Sequence, residues 1–461
     1  MEDLKAALEQ FATIAEDLNP CPPRLFPRPR PPTTLSSVAM KSLLTAVATL
    51  HASLLIASAD WPTWRGAQRD GISKDTGLLS EWPKDGPPLA WKLEGLGEGM
   101  ASVAIADGRL YTMGRRRPTN GKLGTSLIAV DVATHRELWS LTTCEGGDEP
   151  NGTPTISNGR VFAIDRTGNI TAADATTGKK LWQRNLEKDF GGKMESGWGW
   201  SESPLADGDR LIVTPGGRNA LLAALDPRTG KTLWKTPTPM LGDNGLDGAA
   251  YSSVVISNAA GRRQYVQLVG RAVVGIDPET GKVLWHYGRV NNGTANIPTP
   301  LVWDDHVFVS TGYGAGAALL RIVPDKTGLK AEEVYFLESK TFQNHHGGMI
   351  FHDGHIYAGT GHNNGFPVCL NAATGKVVWG GERHSTGKES AAITMADGRL
   401  YFRYQNGTMA LIDGSPASYQ ERGSFKLAVV EGPSWPHPVV DSGHLWIRVQ
   451  NSLLCYDLKK K

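Results

Sequence analysis

Eleven side chains of the kinds that bind ligands or move protons recur at one place in the sequence pattern. They are Asn151, Trp198, Trp200, Glu202, Tyr251, Ser252, Asn296, His345, His346, Trp435 and His437, each a few residues ahead of a short apolar run. An imidazole titrates near neutral pH and can act as acid, base or metal ligand. Glu202 and Asn296 carry the oxygens that a calcium ion takes, and they are the weak candidates for a metal pair. Indoles and a phenol offer flat faces with a polar tip, and amides and hydroxyls orient polar ligands. Every one also has a plainer use. Indoles pack over a rim, a His-His pair bonds backbone in a loop, Glu202 can sit solvated in a channel, and His437 can pack between Pro436 and Pro438. Asp243, Asn244 and Asp247 hint at a calcium loop but lack the full ligand spacing, so that run reads as a polar turn.

The elements that must position these residues are repeats. Asp and Trp stand eight apart at Asp131/Trp139, Asp174/Trp182, Asp226/Trp234 and Asp277/Trp285, and a fifth copy pairs Asn371 with Trp379. Asp can accept the N–H groups of a tight turn, Gly supplies its left-handed residue, and Trp can cover the gap to a neighbouring unit. Eight segments begin near Ser102, Thr153, Ser203, Ser253, Thr299, Gly348, Ala391 and His437. Their Asp-Gly and Asn-Gly turns and β-branched runs give four antiparallel strands per repeat. Repeats of this length build a β-propeller, and eight first strands predict eight blades. Residues 317–335 and 409–425 have lost the Gly-x-x-x-Trp phrase, which keeps seven blades as the alternative. The last repeat stops at Asp457 without a fourth strand, while the strand Leu89–Leu93, carrying Trp91, has no repeat of its own. Pairing the two would close the ring and leave no open edge. Trp91, Trp139, Trp182, Trp234, Trp285 and Trp379 are therefore expected to dock blades. The eleven residues named first fall where one blade's outer strand hands over to the next blade's inner strand, at one mouth of the channel.

The phrase Ala-x-Asp-x-x-x-Gly-x-x-x-Trp, as in Ala172/Asp174/Gly178/Trp182 and Ala224/Asp226/Gly230/Trp234, resembles the docking repeat of the pyrroloquinoline-quinone (PQQ) propeller family. The first copy departs from it, with His135 in the Gly place. The resemblance covers residues 60–458 and includes Trp61-Pro62-x-Trp64-x-Gly66. It implies an all-β propeller and two kinds of function, since the family holds quinone-dependent dehydrogenases and non-catalytic, BamB-like members of the outer-membrane assembly machinery. The dehydrogenase reading would stack PQQ on an indole such as Trp200, with calcium on Glu202 and Asn296, and would oxidise an alcohol or sugar. The chain lacks the adjacent cysteine pair of many such enzymes, a Cys-x-x-Cys-His haem site and long loops. The expectation is thus a non-catalytic binding module with no cofactor, taking a protein, peptide or glycan on the channel rim as a monomer.

Charge supports that range of partners. Lys plus Arg number 48 and Asp plus Glu 46, a net of +2, so there is no basic field for nucleic acid. The cysteines Cys21, Cys144, Cys369 and Cys455 form neither a disulfide framework nor a zinc site. Residues 1–39 read as a non-native or unstructured extension with a Pro/Arg tract. Residues 40–59 read as a signal peptide, with Lys41, an apolar run from Leu43 to Ile56, and Ala57-Ser58-Ala59. Residues 60–88 then form an N-terminal segment and 89–458 the propeller. Export, without a membrane span after cleavage, is the implied destination.

Overall fold

The computed structural model describes residues 61–118, 121–326, 328–382 and 387–460. The proposed extension and signal peptide lie outside these. Eight sheets, each of four antiparallel strands, make up the described fold. Seven are consecutive in sequence. The blade with inner strand Ala104–Ala106 is the first, that with Thr155–Ser157 the second, and that with Leu205–Asp207 the third. Val255–Ser257, Leu301–Trp303, Met349–His352 and Ala391–Ala396 start the fourth to seventh. The eighth combines Val439–Asp441, His444–Val449 and Ser452–Asp457 with Leu89–Leu93 as its outer strand, Trp91 opposite Cys455. The two sequences whose repeat had decayed still form four-stranded blades.

The phrase works as a clasp between blades. Asp174 Oδ1 accepts N–H from Thr176 and Thr177 at 3.1 and 2.8 Å, and Asp277 treats Glu279 and Thr280 likewise at 3.1 and 2.8 Å. The Trp ends the clasp in the next repeat. Trp139 Nε1 donates to Ala175 O (3.2 Å), Trp182 to Pro227 O (3.1 Å), Trp234 to Pro278 O (2.9 Å) and Trp379 to Ser415 O (2.9 Å). Each of the first three rings covers the next repeat's glycine so closely that a Cβ would fall within 2.5–2.7 Å of it, at Gly178, Gly230 and Gly281. Glycine is required there twice over, for positive φ and for space. In the fifth blade Tyr335 takes the Trp role, its hydroxyl donating to Ala372 O at 2.8 Å over Gly375. Where His135 replaces glycine, Trp91 stacks on the imidazole at 4.2 Å.

Trp285 departs from the expected docking. Its indole N–H bonds to Gln264 within its own blade, and the ring is buried against Gly275. The fifth blade has no phrase to receive it, so the ring turns inward.

Closure is reinforced beside the eighth blade. Arg448, almost wholly buried, donates to the carbonyls of Gly97 (2.8 Å), Leu96 (3.2 Å), Ser452 (3.3 Å) and Met113 (3.4 Å). Asn451 Oδ1 and Gln450 Oε1 accept from the N–H groups of Gly97 and Gly99.

Residues 61–72 lie across the channel. Pro62 O accepts from Ile156 N–H, and Thr63 shares a 2.7 Å hydrogen bond with Thr155. Arg69 reaches Ser203 O, Arg65 reaches Met349 O, and Ile72 bridges Met395. With Trp61 O accepting from Ile105 N–H, one short segment thus touches the inner strands of the first, second, sixth and seventh blades and the approach to that of the third. Both guanidiniums are buried, which pushes each down to about 10, and Nε and Nη1 of both have no partner among the described residues.

Candidate functional site

A cup of about 510 Å³ sits at one mouth of the channel. Its wall comes from two sets of loops, because strand direction alternates within a blade. The connections between blades supply Glu149, Asn151, Trp198, Tyr251, His345, His346, Trp435 and His437. The turns between second and third strands emerge on the same face and supply Arg166, Tyr313, Asn363 and Gln405. Trp64, from the segment crossing the channel, also lines it.

Of the eleven expected residues, seven come together in this wall: Asn151, Trp198, Tyr251, His345, His346, Trp435 and His437. Trp198 is nearly half exposed, packed edge-on to Tyr251 at 5.9 Å. Its carbonyl accepts from Arg166 Nε at 2.8 Å and Asn151 Nδ2 at 3.3 Å. Across the cup His346 stacks on Trp435 at 4.6 Å, and Trp435 donates to Gln405. His345 lies 3.6 Å from His346 and 4.1 Å from His362. Its Nε2 bonds Tyr313 OH, and its Nδ1 meets Asn363 and Ser390, all at 3.0 Å.

Burial, then the neighbouring imidazole His362, takes His345 down to about 4. Burial and the adjacent Arg65 take His437 to about 3, and His346 falls well below its usual value for the first reason and the nearby histidines. These imidazoles are neutral at neutral pH. His437 Nε2 donates to His346 O at 3.1 Å, since a carbonyl only accepts.

The other four expected residues lie behind the wall. Trp200 packs in the core with Phe162, Ile170 and Phe190 and covers Gly168. Ser252 is buried, and its hydroxyl has no partner among the described residues. Glu202 is 2% exposed; its Oε2 accepts from Thr214 Oγ1 at 2.7 Å and its Oε1 from Thr214 N–H at 2.5 Å. Asn296 is fully buried and donates through both its nitrogens to Glu195, at 2.7 and 2.6 Å, while its Oδ1 accepts from Asn292 N–H at 3.0 Å. Burial raises both Glu195 and Glu202 to about 7.

This arrangement corrects the quinone reading of these residues. An indole buried in a core cannot stack a cofactor in the cup. The Glu202 and Asn296 oxygens are committed to separate protein partners, so the pair does not fit a shared calcium ion. Asp247 pairs with Arg271, and Asn244 donates to Gly288 O at 3.1 Å, as in a polar turn. Among the described residues no three His, Cys, Asp or Glu side chains are grouped to hold a metal. Cys369 and Cys455 are buried free thiols.

Sequence reasoning missed Trp64, Arg166, Tyr313, Asn363 and Gln405. The strand alternation that placed the between-blade connections at this mouth also places the second-to-third turns there, and that signal was available for all but Trp64.

Comparison with known proteins places the fold in context. Quinohemoprotein alcohol dehydrogenase of Comamonas testosteroni is 29% identical over 203 residues, 40% of this chain and 25% of that protein. BamB of Burkholderia pseudomallei is 26% identical over 147 residues, 30% of this chain and 35% of that one. The chain thus spans about a quarter to a third of the length of these curated relatives. The crystal structure of the Comamonas enzyme aligns at a TM-score of 0.61 and 13% identity, over 87% of this chain and 81% of that one. BamB of Moraxella catarrhalis aligns at 0.58 and 14%, over 81% and 100%. At those identities the likeness is one of fold. The model of the family described as outer membrane protein assembly factor BamB matches residues 79–189 and 123–380, more than half of the sequence. The chain belongs to that family of PQQ-like β-propellers.

Proposed function

We propose that this chain is an exported, non-catalytic propeller that binds a ligand in the cup at its channel mouth. The observation that carries the reading is the wall itself. It combines aromatic faces with hydrogen-bonding groups, while both raised carboxylates, Glu195 and Glu202, are spent on Asn296 and Thr214 behind it. Its volume falls in the range of small-molecule and short-chain sites, roughly 300–1,000 Å³. The similarity to BamB supports a binding role and a place in the cell envelope. No helix among the described residues is long and apolar enough to cross a membrane.

The similarity to quinone-dependent alcohol dehydrogenases favours a second reading, oxidation of an alcohol or sugar. One experiment separates them. The full chain is mixed with PQQ and calcium, tryptophan fluorescence is followed, and dye reduction is assayed with simple alcohols and sugars. The binding reading expects no turnover. Dye reduction that requires both PQQ and substrate overturns it.

A further inference from the structure

We infer that the cup takes a neutral oligosaccharide, an inference that rests on the binding reading above and names its ligand class. The first observation is a row of hydroxyls. Thr153, Ser203, Ser253 and Thr299 hold the same place in the second to fifth blades, and all four line the cup. Each accepts the backbone N–H of the matching residue one blade earlier. Ser102 N–H donates to Thr153 (3.1 Å), Thr153 to Ser203 (3.0 Å), Ser203 to Ser253 (2.9 Å) and Ser253 to Thr299 (3.1 Å). A hydroxyl has one proton besides its lone pairs. Among the described residues none of these four protons has a protein acceptor, so each is left for an occupant that reaches these side chains, which line the cup at only 2–3% exposure. Asn151 spends its Nδ2 on Trp198 O and Ser201, leaving Oδ1 as an acceptor on the same side.

The second observation is where the row ends. The matching places in the sixth, seventh and eighth blades are Gly348, Ala391 and His437. There the wall changes to His345, His346 and Trp435, and Trp198 stands on the hydroxyl side. Aromatic faces thus flank an arc of donors. A sugar ring has this same division, with C–H faces that lie on aromatic rings and an edge of hydroxyls that accept and donate. The third observation is charge. Among the described residues lining the cup, the acidic and basic side chains other than histidine are Glu149 and Arg166, one of each sign, with Arg166 Nε already given to Trp198 O. The lining itself therefore carries balanced charge, and the guanidiniums of Arg65, Arg69 and Arg403 are buried and do not line it, which suits an uncharged polyol.

The test uses the full chain and soluble probes: maltohexaose, cellohexaose and chitohexaose, with a hyaluronan hexasaccharide as acidic control and a pool of unstructured peptides. Tryptophan fluorescence and isothermal calorimetry are the readouts. Saturable binding of at least one neutral hexasaccharide is expected, tighter than the acidic control. Trp198→Ala, at a nearly half-exposed position, should weaken it at least tenfold. Trp198→Phe should restore most of it. No binding by any neutral probe overturns the inference, and so does binding that Trp198→Ala and Trp435→Ala leave unchanged. Peptide binding in its place would overturn the saccharide assignment while leaving a binding module. PQQ-dependent turnover would instead overturn the binding reading itself, so the two failures are distinct.

Discussion

Two glycines in the third blade separate the two reasons a glycine can be required. Gly208 and Gly230 both have positive φ, +59° and +71°. A Cβ at Gly208 would meet nothing within 4 Å, whereas at Gly230 it would lie 2.7 Å from the Trp182 ring. Gly208→Ala should therefore show only backbone strain, about 1–2 kcal/mol for an L-residue in the left-handed region. Gly230→Ala adds displacement of the ring and loss of the Trp182 Nε1 bond to Pro227 O at 3.1 Å, a bond worth about 1 kcal/mol. The overpacking itself costs about 1–3 kcal/mol. Gly230→Ala should thus destabilise by roughly 2–4 kcal/mol more than Gly208→Ala. Urea unfolding followed by near-ultraviolet circular dichroism measures both, with the transition slope as a check on mechanism. The cycle is completed in a Trp182→Ala background, where the ring is gone. There Gly230→Ala should cost no more than Gly208→Ala. Equal costs in the wild-type background, or an undiminished Gly230 effect without Trp182, would refute the clasp.

Other perturbations test other parts. Glu202, raised by burial to about 7 from 4.5, binds its proton more tightly when folded, so its contribution to stability is lost as pH rises from about 4.5 through 7. Glu202→Gln can accept the Thr214 N–H through its one oxygen and donate its Nε2 to Thr214 Oγ1, and should gain on the wild type across that window, by on the order of 3 kcal/mol at most; a pH-independent difference in unfolding free energy would contradict this. His437 has the opposite sign. Lowered to about 3, it makes the fold lose stability as pH falls below the usual imidazole range, and His437→Gln should flatten that loss in thermal melts between pH 6.5 and 3. Arg448→Met strips four carbonyls of their buried donor, at a cost of about 3 kcal/mol. It should also open residues 95–99 to proteolysis, and an unchanged digestion pattern would remove Arg448 from the closure.

Most of the fold was legible because its signals are local and repeated. Each Asp-to-Trp phrase carries its own turn chemistry, so five copies count blades without any knowledge of their neighbours. The exceptions are non-local. Trp285 turns back into its own blade where the following repeat has lost the phrase, and Trp91, paired into the eighth blade from the N-terminal end, stacks on His135 where the first blade has no glycine. Tyr335 replaces Trp in a repeat that looked decayed, using the same geometry with a hydroxyl in place of an indole N–H. The mouth was legible as a place, and seven residues expected there do line it. What sequence could not rank was depth. Residues one or two apart in a connection, Trp198 against Trp200 and Tyr251 against Ser252, differ by facing the cup or the core, and that choice depends on how the loop crosses its neighbours.

The repeat and the cup use matching positions differently from blade to blade. A hydroxyl that receives the neighbouring blade's N–H is a structural device, and a ring of eight would serve closure best. Only four places carry it, Thr153, Ser203, Ser253 and Thr299. Gly348, Ala391 and His437 break it, and beside that break gather the imidazoles and Trp435, while the segment carrying Trp64 and Arg65 contacts the sixth blade there through Met349. Arg65, Gly348 and His437 are packed against one another so closely that a side chain at Gly348 would meet both. A regular repeat needs no such contact. The departure from symmetry is therefore concentrated on one side of the mouth, where it joins the channel-crossing segment to the cup.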